Sequence, residues 1–185
     1  LPFYIANFKS HQFNDVNFLI KSSEVRLQGK GVNNNCSFIK DASVVNEARL
    51  LCVYISDGLT FSNAKFKDVD VLVSASANIE MLFKECLFDG YSVNAIRTYY
   101  ADYYYRLTVL NSRFMDTAKK IPIGYEQGTA PNVTVNNVLH NASRVSTFPA
   151  NVFNTYNMDV RSQVILEYDP PSLANATQQS VNLTY

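Results

Sequence analysis

A ten-residue segment recurs along this chain, and the repeat constrains the fold more than any other feature. The clearest copies are residues 59–68, 81–90 and 107–116. With the weaker copies included, the segments begin at residues 11, 31, 59, 81, 107 and 133. A unit repeated every 20–28 residues cannot bury its apolar face alone, so successive units must stack on one another.

Aligned copies place residues of one kind in columns. The aromatic column is Phe18, Phe38, Phe66, Phe88, Phe114 and His140. Two residues earlier is a column of small side chains: Val16, Cys36, Ala64, Cys86, Ser112 and Val138. One residue before that is a polar column: Asp15, Asn35, Asn63, Glu85, Asn111 and Asn137. Asparagine tolerates the left-handed backbone conformation of a sharp corner, so the polar column predicts a turn between two strands whose apolar residues face inward.

These columns predict an all-β fold, namely a right-handed parallel β-helix (solenoid) of about six coils over residues 1–148, stacked about 4.8 Å apart. The insert at 41–54 fits either a helical turn or a further strand. After Pro149 the repeat ends, and the remaining residues, 149–185, are expected to form a short antiparallel β segment. Because the sequence has no initiating Met and ends in a strand-like segment, we expect it to be part of a longer protein.

Composition and motifs exclude several classes of function. The 16 Lys and Arg residues balance 16 Asp and Glu residues, so nucleic acid is not an expected partner. The sequence contains no run of 18 apolar residues, so membrane insertion is not expected. Cys36, Cys52 and Cys86 show neither metal-ligand spacing nor a disulfide pattern and are expected to be buried thiols. We expect no metal and no cofactor, since the sequence contains no phosphate-binding glycine loop and no HExxH or GxSxG motif.

The segment LEYDPPSLANATQQS, residues 166–180, is similar to one found near the C-terminus of many bacteriophage tail spike and tail fibre proteins. The resemblance implies that 149–185 begin a C-terminal β-rich knob, or trimerisation segment, after a β-helix. It also implies a homotrimer in the virion, located extracellularly on the phage tail. The implied partners are other virion tail proteins and bacterial surface polysaccharide.

A tyrosine-rich segment between the fourth and fifth copies is the candidate glycan-binding site. Its candidate residues are Arg97, Tyr99, Tyr100, Asp102, Tyr103, Tyr104 and Arg106. Aromatic rings stack on the apolar faces of sugars, and the charged neighbours bind sugar hydroxyls. Packing between subunits is the alternative role for these tyrosines.

Asp68, Asp89 and Asp116 follow the aromatic column in three successive copies and are the candidate catalytic residues. Stacking would bring neighbouring members to about 5–8 Å, a separation at which paired carboxylates hydrolyse glycosides. The alternative is a solvated turn, since Asp is a favourable corner residue.

From these features we expect a trimeric receptor-binding module of a tail spike or tail fibre that adheres to bacterial surface polysaccharide. Two alternatives remain open. One is a polysaccharide depolymerase, either a glycoside hydrolase or a lyase, that uses carboxylates on the β-helix surface, and the other is a purely structural virion component. The sequence leaves open whether the protein is an enzyme.

Overall fold

The structure is a computed structural model that describes residues 3–5, 10–55, 58–99, 103, 105–116, 122–126, 131–141, 143–145 and 165–167. The expected C-terminal segment, 149–185, therefore lies outside the described residues except at 165–167.

The described residues are all-β, as the repeat predicted. In chain order the strands are β1 (Phe3–Ile5), β2 (Ser10–Asn14), β3 (Asn17–Ile20), β4 (Glu24–Gln28), β5 (Lys30–Asn34), β6 (Ser37–Lys40), β7 (Ala48–Ile55), β8 (Leu59–Ser62), β9 (Lys65–Lys67), β10 (Val69–Ala75), β11 (Ile79–Lys84), β12 (Leu87–Asp89), β13 (Ile96–Tyr99), β14 (Tyr105–Leu110), β15 (Arg113–Met115), β16 (Ile123–Tyr125), β17 (Asn132–Asn136), β18 (Val138–His140), β19 (Ser143–Val145) and β20 (Ile165–Glu167). The insert that the sequence left ambiguous contributes a strand, β7.

Three sheets stack these strands as a β-solenoid. The first sheet has the order β1-β4-β7-β10-β13-β16, the second β2-β5-β8-β11-β14-β17, and the third β3-β6-β9-β12-β15-β18-β19-β20. Consecutive strands within the first and second sheets are parallel. At the end of the third sheet, β19 pairs antiparallel with β18, and β20 pairs antiparallel with β19. The predicted parallel β-solenoid is thus confirmed.

The aromatic column forms a continuous stack inside the solenoid. Phe38, Phe66, Phe88 and Phe114 are all fully buried. Phe66 lies between Phe38, with ring centroids 5.3 Å apart and planes 6° apart, and Phe88, at 4.7 Å and 7°. The register puts Phe114 opposite His140 on β18, where the sequence had placed the last column member. Parallel in-register strands are what allow rings one coil apart to stack face to face.

The polar column forms the predicted corner. All of its members have left-handed backbone conformations, with φ between 48° and 58°: Asp15, Asn35, Asn63, Glu85, Asn111 and Asn137. The side chains bond along the stack, because the Asn35 amide donates to Asp15 at 2.6 Å and the Asn63 amide donates to Asn35 at 2.9 Å. Further along, the Asn137 amide donates to Asn111 at 2.8 Å. Glu85 interrupts this ladder.

Replacing Glu85 with asparagine is expected to stabilise the protein by about 1 kcal/mol, because Asn suits the left-handed backbone better and can bond to Asn63 and Asn111. The change removes the exposed Lys84–Glu85 ion pair, 3.5 Å long, which contributes little. Urea unfolding measures the gain. Glu85→Gln is the matched control, since it removes the same charge and cannot complete the ladder; equal stabilities of the two variants would refute the prediction.

Two inward positions in the first coils are polar, namely His11 and Asn33. Asn33 is fully buried at the inward position that holds Phe61 on β8. Its amide donates to Thr60 O at 3.3 Å and lies 3.4 Å from His11 Nε2. A Cβ added at Gly31 would collide with the His11 ring, so the glycine makes room for this buried histidine. Burial lowers the pKa of His11 below its ordinary value.

The three cysteine side chains belong to the buried core. Cys36, Cys52 and Cys86 are buried and free, as predicted, and burial raises the pKa of Cys52 and of Cys86 to about 12.

Among the described residues, no helix is long and apolar enough to span a membrane.

Candidate functional site

The base of the tyrosine segment is fixed to the solenoid by one side chain. Tyr105 begins β14, and its ring is buried with 1% exposure. Its hydroxyl donates to Tyr99 O at 2.5 Å and accepts from the Ala75 amide at 3.1 Å. The two ends of the segment 99–105, which we call the tyrosine loop, are therefore joined to each other and to the preceding coil. Burial raises the pKa of Tyr105, which keeps the hydroxyl protonated as a donor.

A charge bridge lies on the outer face of the first sheet. Arg97 on β13 faces outward, yet the residue is only 6% exposed. Its Nη2 donates to Glu47 at 2.9 Å, and its Nη1 donates to Glu126 at 2.8 Å. The side chains of the two glutamates are each 32% exposed. We call Glu47, Arg97 and Glu126 the charge bridge.

Strand register places Arg97 and Glu126, but not Glu47, near Tyr99. Arg97 and Tyr99 lie two residues apart on β13, so their side chains leave the same face of the sheet about 7 Å apart. The Glu126 amide donates to Thr98 O at 2.9 Å, which sets Glu126 on the coil directly after Tyr99. Glu47 precedes β7, two strands away from β13 in the sheet. The bridge therefore ties several coils together, but its Glu47 end lies six residues before Val53, the β7 residue in register with Tyr99.

Asp70 lies on the same outward face of the first sheet and is covered by the turn before β13. Its carboxylate is fully buried and accepts hydrogen bonds from the amides of Ser92 at 2.6 Å, Val93 at 2.8 Å and Asn94 at 3.3 Å. These hydrogen bonds fix the turn that leads into β13. Burial raises the pKa of Asp70, while the hydrogen bonds from Ser92 and Val93 oppose that rise. The carboxylate thereby fixes the strand that carries Arg97.

The predicted glycan-binding residues occupy different environments. Tyr99 and Tyr103 are half-buried, and Arg106 is exposed and ion-paired with Glu80. Arg97 is enclosed in the charge bridge. The remaining predicted residues, Tyr100, Asp102 and Tyr104, lie outside the described residues. The role of these residues in glycan binding stays a prediction.

The predicted catalytic aspartates do not occupy one column. Asp89 pairs with Lys67 and Met115, whereas Gly90 follows in register with Asp68. Asp68 and Gly90 both have left-handed backbones, with φ of 55° and 71°. In the coil of Asp89, the corner position is therefore occupied by Gly90 and not by the aspartate. Asp68 is exposed, Asp89 is half-buried and Asp116 is buried. An open pair on adjacent coils is therefore not formed by Asp68 and Asp116, and their catalytic role stays a prediction.

Sequence reasoning missed Glu47, Asp70 and Glu126. Each lies outside the repeated segment, so no column singled it out. No local pattern around β13 pointed to them, because Arg97 is the one charged residue of that strand and its partner at position 47 is 50 residues away.

Among the described residues, no group of three or more His, Cys, Asp or Glu side chains could hold a metal ion. The chain matches no protein-family model, no curated protein and no solved structure. The function is therefore argued from the geometry of the site. That geometry combines aromatic side chains, partly exposed carboxylates and a rigid base, a combination suited to binding hydroxyl-rich ligands.

Proposed function

We propose that the protein is an adhesive module of a phage tail spike or tail fibre that binds bacterial surface polysaccharide through its tyrosine loop. The observation that carries this proposal is the double hydrogen bond of the Tyr105 hydroxyl, which joins both ends of the loop to a rigid solenoid. Loops held by a rigid scaffold lose less conformational entropy when they bind.

The proposed mechanism is multivalent recognition. Tyrosine rings stack on sugar faces, and polar neighbours bond to sugar hydroxyls. Three identical sites on one homotrimer would raise avidity without a strong single contact. The solenoid would hold those sites at fixed separations on an extracellular tail organelle.

We also propose a handedness and a number of coils for the solenoid, and a role for its C-terminal segment. The solenoid is right-handed, as parallel crossover connections almost always are, and has about six coils. Support for that number comes from the six parallel strands in each of the first two sheets. The antiparallel pairing of β18, β19 and β20 supports a change of architecture towards the segment 149–185, which we propose to be a β-rich trimerisation knob.

Adhesion is favoured over cleavage by the state of the carboxylates. Glu47 and Glu126 are both ion-paired to Arg97. Hydrolysis of a glycoside requires one protonated carboxyl as the acid and a second carboxylate as base or nucleophile. Two carboxylates that share one guanidinium suit hydrogen-bond acceptance better than proton donation.

Replacing Tyr105 with phenylalanine is expected to weaken retention on immobilised host polysaccharide about tenfold, because the ring stays in the core while the loop loses its anchor. The assay uses surface polysaccharides from a panel of bacteria and also measures the release of reducing or unsaturated ends. Thr108→Val, which removes a hydroxyl from the outer face of the second sheet, is the matched control. Binding without release supports adhesion, release supports a depolymerase, and no binding to any polysaccharide contradicts the proposal.

A further inference from the structure

A buried polar cluster joins the end strand β2 to the second coil of the solenoid. His11 on β2 is only 9% exposed, and Asn33 on β5 is fully buried. In the same two inward columns, the coils from β8 onward carry apolar residues: Leu59, Phe61, Met81, Phe83, Leu107 and Val109. The end of the solenoid therefore depends on polar contacts at positions where later coils depend on apolar packing.

The hydrogen bonds of this cluster require a neutral imidazole. Nδ1 of His11 lies 3.2 Å from the carbonyl oxygen of Gln28, which can only accept, so Nδ1 carries the proton. Nε2 is then an acceptor, 3.4 Å from the amide nitrogen of Asn33, which also donates to Thr60 O at 3.3 Å. A second proton on Nε2 would face a donor. Turning the Asn33 amide to offer its oxygen would set that oxygen against Thr60 O.

Among the described residues of the surrounding strands, no charged side chain faces the imidazole. Neither β2 nor β8 contains a charged residue. On β4, Glu24 and Arg26 alternate with buried apolar residues, so they leave the outer face, where they pair with each other. Lys30 on β5 is exposed and also lies on the outer face. An imidazolium at His11 would be buried without a counter-charge, which is costly.

The end strands can separate without disturbing the rest of the solenoid. Among the described strands, β2 pairs with β5 alone and β3 with β6 alone, and we call β2 and β3 the first coil. We infer that the first coil is an acid-sensitive element: neutral His11 holds it on the second coil, and protonation of His11 releases it while the later coils stay stacked. Release would uncover the edges of β5 and β6 for pairing with another strand.

The direction of the pH dependence follows from burial. Burial lowers the pKa of His11 in the folded coil below its ordinary value of 6.5, so the detached coil takes up the proton first. The contribution of His11 to stability is therefore complete above that value and is lost as the pH falls below it. This inference goes beyond glycan adhesion and does not depend on it.

Hydrogen exchange of the intact chain at about pH 7.5 and about pH 5.0 tests the inference, after correction for the intrinsic pH dependence of amide exchange. The amides of Ser37 and Asp41 donate to carbonyl oxygens of residues 16 and 20 and report on the first coil. The amides of Leu87 and Arg113 donate between later coils. On acidification, we expect protection of the first pair of amides to fall about tenfold relative to the second pair.

Two substitutions of His11 remove the titrating group. His11→Leu introduces the residue found in that column at positions 59 and 107, and His11→Gln retains a hydrogen-bonding side chain. Each is expected to abolish the acid-dependent loss of protection. His140→Phe is the matched control, because it removes the second of the two histidines and should retain the full loss.

Equal protection of the first pair at both pH values in the wild type would overturn the inference. The same acid-dependent loss in a His11 variant that is protected at neutral pH would also overturn it, as would disappearance of the loss in His140→Phe. None of these outcomes bears on glycan retention, so the proposed function is tested separately.

Discussion

Replacing Phe66 with alanine is expected to lower the free energy of unfolding by about 4 kcal/mol, since it removes a fully buried ring from the middle of the aromatic stack. Phe66 stacks on Phe38 and on Phe88 and meets Phe61 edge to face at 5.2 Å. The parallel strands on either side fix the coil spacing, so the neighbours cannot close the cavity. Chemical denaturation followed by circular dichroism measures the loss.

The position of the ring within the stack supplies the control. Phe18 occupies the first coil, is half-buried and stacks on Phe38 at 4.8 Å. Phe18→Ala is therefore expected to lower the free energy of unfolding by about half as much as Phe66→Ala, because Phe18 is less buried and has fewer neighbours. Phe66→Leu, which retains most of the volume, is expected to cost about 1–2 kcal/mol. Equal losses for the two alanine variants would contradict a continuous stack.

The core of this fold could be predicted because the same short residue pattern recurs along the chain. A side chain in the aromatic column meets the same residue type one coil away, so a column found by aligning copies is also a column of contacts. The left-handed corner was predictable for the same reason. Glu85 adopts the conformation of its asparagine neighbours, with φ of 58°, because the stacked coils impose that corner on whichever residue occupies it.

The outer face could not be predicted in this way. Its residues come from turns of unequal length, and the repeat carries no register for them. The offset between Asp89 and the corner at Gly90 is one residue, yet it turns the Asp89 side chain away from the direction taken by Asp68. Spacing known to within one or two positions is therefore sufficient to predict the fold. It is insufficient to predict which two carboxylates lie side by side.

The candidate site shows the same division. The tyrosine loop was found from its composition, but its anchor at Tyr105 and the charge bridge depend on which coils become neighbours. Arg97 was predicted to bind glycan, whereas the structure encloses it between Glu47 and Glu126. A guanidinium on an outward position becomes buried only when surrounding turns cover that face, and the length of those turns does not specify their path.

Replacing Asp70 with alanine is expected to lower the free energy of unfolding by about 3 kcal/mol, because the amides of Ser92, Val93 and Asn94 lose their shared acceptor within a buried turn. The turn leads into β13, so the loss should also loosen Arg97 and weaken glycan retention. Hydrogen exchange at these amides, measured together with urea unfolding, tests both effects.

Asp89→Ala is the matched control for Asp70→Ala, because it removes a half-buried, outward-facing carboxylate elsewhere in the solenoid and is expected to change stability by no more than about 0.5 kcal/mol. If both alanine variants unfold at the same urea concentration while the amides of residues 92–94 stay protected, Asp70 does not hold the turn. If Asp70→Ala exposes those amides and also reduces glycan retention, the buried carboxylate and the binding face are coupled through β13. That coupling would explain why a solenoid with an apolar core keeps a fully buried carboxylate beneath its outer surface.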